Sequence, residues 1–129
     1  MTDKFDSELI DELEAHVLED GEPLVLSDEV RALLRRSAEQ VALSPGDADE
    51  ALRSVPTATT LLQEISRRFK EGSKRLFEAQ VKASDLRDAG DLEGARQQIR
   101  DWLAVEVVPR FRRAAGKNLA ALDEPPPAT

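Results

Sequence analysis

Reactive side chains are sparse and scattered along this chain. Its single histidine, His16, has Glu12, Glu19 and Asp20 at helix-neighbour spacings, an arrangement from which a metal site could in principle be built. One imidazole with flexible surface carboxylates is a poor ligand set, so His16 reads as a boundary residue of an amphipathic helix. Carboxylates gather at Asp85, Asp88, Asp91 and Glu93. General acid–base catalysis would need two of them held in a cleft with separated pKa values, and nothing in the sequence builds a cleft. Helix capping and solvation account for them. There is no phosphate-cradling glycine loop, serine elbow or metal-binding histidine pair. The 129 residues include no cysteine, which removes thiolate nucleophiles, thiolate metal sites and disulfides. The expectation is a protein with no catalytic residues, no metal and no cofactor.

One cluster has the chemistry of a binding patch. Arg67, Arg68, Lys70, Lys74 and Arg75 form the densest positive group, RRFKEGSKR. Such a group suits an anion or a partner's acidic surface; its plainer reading is a solvated helix face paired with the acidic first helix, where each exposed pair contributes only ~0–1 kcal/mol. Arg110, Arg112, Arg113 and Lys117 form a second basic group. Residues 44–65 admit a DNA-binding helix-turn-helix reading. Against it, the first turns of the second helix offer Thr57, Thr59 and Thr60 but no arginine. Among the aromatics, Trp102, Phe111 and Phe69 read as core. Phe77 falls one position beyond the apolar stripe of its helix, and an exposed Phe77 would mark an interaction surface.

The elements that position these residues are legible as helices. Between Thr57 and Ala115 the pattern reads as one long helical hairpin. Leu62, Ile65, Phe69, Gly72, Leu76, Ala79, Ala83 and Leu86 recur at alternating steps of three and four, keeping one stripe toward a partner. Then Gly90 can take the positive φ that ends a helix and Asp91 can cap the next. At 1.5 Å per residue the first arm would be about 50 Å long, more than a small domain needs, so either it bends at Gly72-Ser73 or its far half projects and is covered by the fifth helix or a second protomer. The returning helix starts at Leu92, presents Leu92, Ala95, Ile99, Trp102 or Leu103, and Val107, and is kinked or ended near Val107-Val108 by Pro109; a further turn or two closes near Gly116.

Upstream, residues 8–20 place Leu9, Ile10, Leu13 and Val17 on one face, with Ser7 as cap and Gly21 as terminator. Leu24-Val25-Leu26 reads as a short apolar linker. Ser27 opens a second helix with Asp28 and Glu29 in its first turn, burying Val30, Leu33, Leu34, Ala38 and Val41. Ser44-Pro45 starts a short third helix, and Val55-Pro56 separates it from the long arm, with Thr57 as cap. The chain is therefore read as all-α, a compact bundle of about five helices built around a long antiparallel hairpin. Residues 1–116 form a single helical domain, and residues 117–129 a Pro-rich disordered tail.

Composition narrows the function classes. Net charge is −8 and uneven: residues 1–60 carry five Lys/Arg against fifteen Asp/Glu, residues 61–129 thirteen against eleven. The acidic half would repel a phosphate backbone and favour a cationic partner, though acidity serves solubility first. MTDKFDSELIDE lacks the basic start and apolar run of a secretory signal, and no stretch approaches the ~20 apolar residues of a membrane span, so a cytoplasmic protein is expected.

GEPLVLSDEV, SVPTATTLL and AGDLEGAR, in that order and spacing, resemble the DUSAM domain, an uncharacterised family expanded as paralogues in myxobacteria. The similarity covers about residues 19–115. It implies a small all-helical module with no catalytic residues to carry over, and its paralogous character suggests partner-specific adaptors or regulators. The expected function is a non-enzymatic protein–protein interaction or regulatory module, self-associating through the long helix. The alternatives are polyanion binding through residues 67–75 and an acidic inhibitor or immunity-type protein for a basic partner.

Overall fold

A computed structural model describes residues 2–123, with side chains from residue 8 onward. Among them every regular element is helical: α1 (Thr2–Glu14) with a π-helical turn after it (Ala15–Glu19), α2 (Asp28–Gln40), α3 (Pro45–Ala51), α4 (Val55–Asp88), α5 (Leu92–Val105) and α6 (Pro109–Asp123). The helical class is as read from the sequence. There are six helices where about five were expected, because the segment after Pro109 is a full helix that passes through Gly116 to Asp123. The tail expected from residue 117 is thus helical to Asp123, and residues 124–129 lie outside the described residues. Two compact units divide between Phe69 and Lys70, inside α4.

In the first unit local signals set the helix ends. Ser27 Oγ accepts from the Val30 N–H at 3.1 Å and Ser44 Oγ from the Asp47 N–H at 3.1 Å, so each satisfies a donor that its helix leaves unpaired. At α4 the cap is Ser54 and not Thr57. Pro56 has no N–H to lose in a first turn, so the helix starts at Val55, and the Thr57 hydroxyl donates back to the Ala51 carbonyl at 2.6 Å. Likewise α1 begins before Ser7, which lies within it. The first helix then widens into its π turn, closed by the Asp20 N–H on the Ala15 carbonyl at 3.0 Å, and stops at Gly21 with φ 72°. Ile10, Leu24, Leu34, Ala38, Val41, Leu52, Leu62 and Ile65 are buried together as this unit's core. Glu14 is buried with them and accepts from the Ser66 hydroxyl.

The second unit closes on the turn after α4. Gly90 has φ 88°; the Asp91 N–H reaches the Leu86 carbonyl at 2.8 Å and the Gly90 N–H that of Arg87 at 3.0 Å, a Schellman ending. Asp91 then caps α5 by accepting from the Gly94 N–H at 2.8 Å. A Cβ at Gly94 would collide with that carboxylate, a reason for this glycine that the sequence alone did not supply. Arg75 and Glu106, nearly equidistant along the chain from Gly90, meet at 3.1 Å, so α4 and α5 run antiparallel here. Ala79 and Ala83 of α4, Ala95, Ile99 and Trp102 of α5, and Phe111 and Ala115 of α6 are buried, small residues letting the helices approach closely.

At Gly72 the structure shows a packing reason for the glycine. α4 is continuous across it, and the glycine is there for room: a Cβ would lie 2.5 Å from the Phe111 ring. Gly72→Ala should therefore cost about 1–2 kcal/mol in urea denaturation despite alanine's higher helix propensity, as overpacking does. Ala42 is the reverse case. It holds φ 66° at the exposed end of α2, where the Leu43 N–H bonds the Ala38 carbonyl at 2.9 Å. A left-handed alanine is strained, so Ala42→Gly should raise stability by roughly 0.5–1 kcal/mol by the same measurement.

Candidate functional site

Most charges of the basic cluster are taken up by the protein's own acceptors. In the first unit Arg67 and Arg68 converge on Glu64, with Nε–O distances of 2.9 and 2.8 Å. Those two hydrogen bonds hold the Glu64 carboxyl below its ordinary range against a smaller opposing effect of burial. Arg68 also donates to the Val41 carbonyl at 2.8 Å, satisfying a carbonyl at the end of α2. In the second unit Arg75 turns inward to Glu106, whereas Lys74 stays exposed, 4.0 Å from Glu78. Lys70 is also exposed. In the second basic group, Arg112 donates to the Leu103 carbonyl at 2.7 Å and the Glu106 carbonyl at 2.9 Å, closing the end of α5. The remaining members, Arg110, Arg113 and Lys117, are exposed along α6.

The most concentrated polar chemistry lies at a residue that the sequence reading passed over. The Glu106 side chain is fully buried at the α5–α6 corner. Its Oε1 accepts from Arg75 Nε at 3.2 Å and Trp102 Nε1 at 3.1 Å. Its Oε2 accepts from Arg75 Nη2, Val107 N and Val108 N, each at 3.1 Å. Burial pushes the carboxyl pKa up; the Arg75 guanidinium, the Val108 amide and the Trp102 indole outweigh it, and the net shift is downward. A signal was present: in AVEVVP one glutamate stands among apolar residues, four positions after Trp102. Five donors, two of them backbone amides, leave the carboxylate no capacity for substrate. It is a structural anion.

His16 does not gather the carboxylates at helix spacing. It lies 3.5 Å from Glu22, both well exposed. Among the described residues, no group of three or more His, Cys, Asp or Glu is placed to hold a metal ion, and no helix is long and apolar enough to cross a membrane. Asp91 is a cap, and Glu93 pairs with Arg100 at 3.0 Å.

Apolar side chains also stand open on α4. Of the stripe read along α4, Leu62, Ile65, Gly72, Ala79 and Ala83 are buried, and Phe69, Leu76 and Leu86 are half-buried. Phe77 is 67 % exposed, and Val81, one turn further on, is 43 % exposed. Val81 was not singled out from the sequence. It belongs to the same outward face because i and i+4 positions stack along a helix.

The Glu106 network carries a pH signature. Because its carboxyl is held below the ordinary glutamate value, its contribution to stability is complete above about pH 4.3 and is lost as pH falls through the depressed native value. Urea midpoints should fall in that acid range. Glu106→Gln should lower stability at neutral pH by roughly 2–4 kcal/mol, since one amide group must face donors, and should flatten that part of the acid dependence.

No curated protein and no solved structure matches this chain. A family model does, over residues 5–122, nearly the whole length on which the helices, the buried glutamate and the exposed Phe77 lie. The chain belongs to the family described as protein of unknown function (DUF2379).

Proposed function

We propose that this protein is a non-enzymatic interaction or regulatory module that acts in the cytoplasm and docks partners on the outward face of α4. The observation that carries this reading is the pair Phe77 and Val81, exposed one turn apart on a helix whose opposite side is packed. Burying one such aromatic in a partner is worth about 1.5–3 kcal/mol, enough to anchor a modest interface. The finer resemblance to the DUSAM domain points the same way, since small helical paralogues suit partner-specific adaptors.

The polyanion reading has less support. Arg67, Arg68 and Arg75 would have to leave Glu64, the Val41 carbonyl and Glu106 to reach a phosphate. The acidic-inhibitor reading rests on the charge of residues 1–60 alone.

Photo-crosslinking tests the proposal. A benzophenone amino acid placed at Phe77 in the cells that make the protein should give light-dependent adducts of discrete mass. The same group at Gln97, exposed on α5, should give none. No adduct at position 77, or equal adducts at both positions, would remove the docking face.

A further inference from the structure

The outward face of α4 has an order along its length that selects one occupant. Lys70, Lys74, Phe77, Val81, Asp85 and Asp88 recur at steps of four, three, four, four and three, and all six are exposed. At 100° per residue these positions form a single stripe on the side opposite buried Ala79. The stripe is graded: cations at its N-terminal end, two apolar residues at its centre, carboxylates at its C-terminal end.

We infer that this stripe binds a second copy of the chain, antiparallel, about a two-fold axis between Phe77 and Val81. Such a contact is isologous, so residue pairs are fixed by their distance from the axis. Phe77 then faces the second copy's Val81, Lys70 faces Asp88, and Lys74 faces Asp85 on the same flank. A parallel pairing would stack lysine on lysine and aspartate on aspartate, and like charges in register destabilise. The grading is thus self-complementary in one orientation only. Ser73 and Ser84, on the other flank, would lie opposite each other. The inference rests on reading the Phe77–Val81 face as a contact surface, and it adds the partner, the orientation and the register. With two apolar side chains per protomer at its centre, the interface is small and the dimer weak, on the order of 10–100 µM.

Sedimentation equilibrium of the full chain at low salt reads this directly. The expected result is a monomer–dimer equilibrium weakened about tenfold or more by Phe77→Asp. Lys74→Asp and Asp85→Lys should each weaken it roughly threefold to tenfold, and the double variant should recover most of the loss, because the swapped pair re-forms across the axis. Circular dichroism confirms that each variant is folded. Since the chain has no cysteine, Ser73→Cys and Ser84→Cys introduce unique thiols. Oxidised together they should cross-link to each other, and oxidised alone neither should. Self-linking of Ser73→Cys, or charge swaps that do not rescue, would overturn the antiparallel register. A wild-type monomer at about 200 µM, with position 77 still cross-linking to a different polypeptide, would overturn the second copy and leave the docking face standing. A monomer with no adduct would remove both.

Discussion

A buried carboxylate without compensation would unfold this corner of the molecule, and the second unit is arranged around preventing that at Glu106. Its two oxygens receive the guanidinium of α4, the indole of α5 and the two amides that lead into α6. One side chain thereby links three helices and supplies partners for backbone donors that the α5–α6 break would otherwise leave empty. The break between α5 and α6 makes the arrangement necessary. α5 stops at Val105, Glu106 is extended, and α6 starts at Pro109, so the Val107 and Val108 amides between them must find an acceptor outside the helix ladder. The indole of Trp102 likewise has its polar edge satisfied inside the core, which lets its large apolar surface be buried at low cost.

The first unit manages its own polar burdens by different means. Arg68 reaches a carbonyl at the end of α2 while sharing Glu64 with Arg67, and Arg31 donates to the Leu52 carbonyl at 2.7 Å at the end of α3. Arginines in both units therefore act as helix-end donors, which explains why a sequence rich in clustered cations need not present them to a polyanion. Among the described side chains the lysines, Lys70, Lys74, Lys82 and Lys117, with a compact and strongly hydrated charge, stay at the surface.

What was legible in the sequence was what local chemistry decides. Ser27, Ser44, Asp91 and Gly90 announce their roles because capping and positive φ are properties of one residue and its near neighbours. The stripe from Leu62 to Leu86 was visible because period alone defines it. What escaped depended on contacts distant in sequence. Gly72 reads as a bend until the Phe111 ring is placed beside it, and Glu14 and Glu106 find their partners, Ser66 and Arg75, 52 and 31 positions away along the chain. Thr57 loses the cap to Ser54 for a local reason: Pro56 fits the first turn as well as the position before it. The outward stripe of α4 was half seen, through Phe77 and not Val81, because a mixed polar and apolar face has no contrast until burial marks the other side.

The fit between Gly72 and Phe111 has an evolutionary consequence. Enlarging position 72 alone is costly, since the Phe111 ring occupies the volume a side chain there would claim. Across the family the two sites should drift as a linked pair: lineages that replace the glycine carry a smaller residue in place of the phenylalanine, and those that keep the aromatic keep the glycine. Their correlation would be a record of helix spacing, inherited without reference to any ligand.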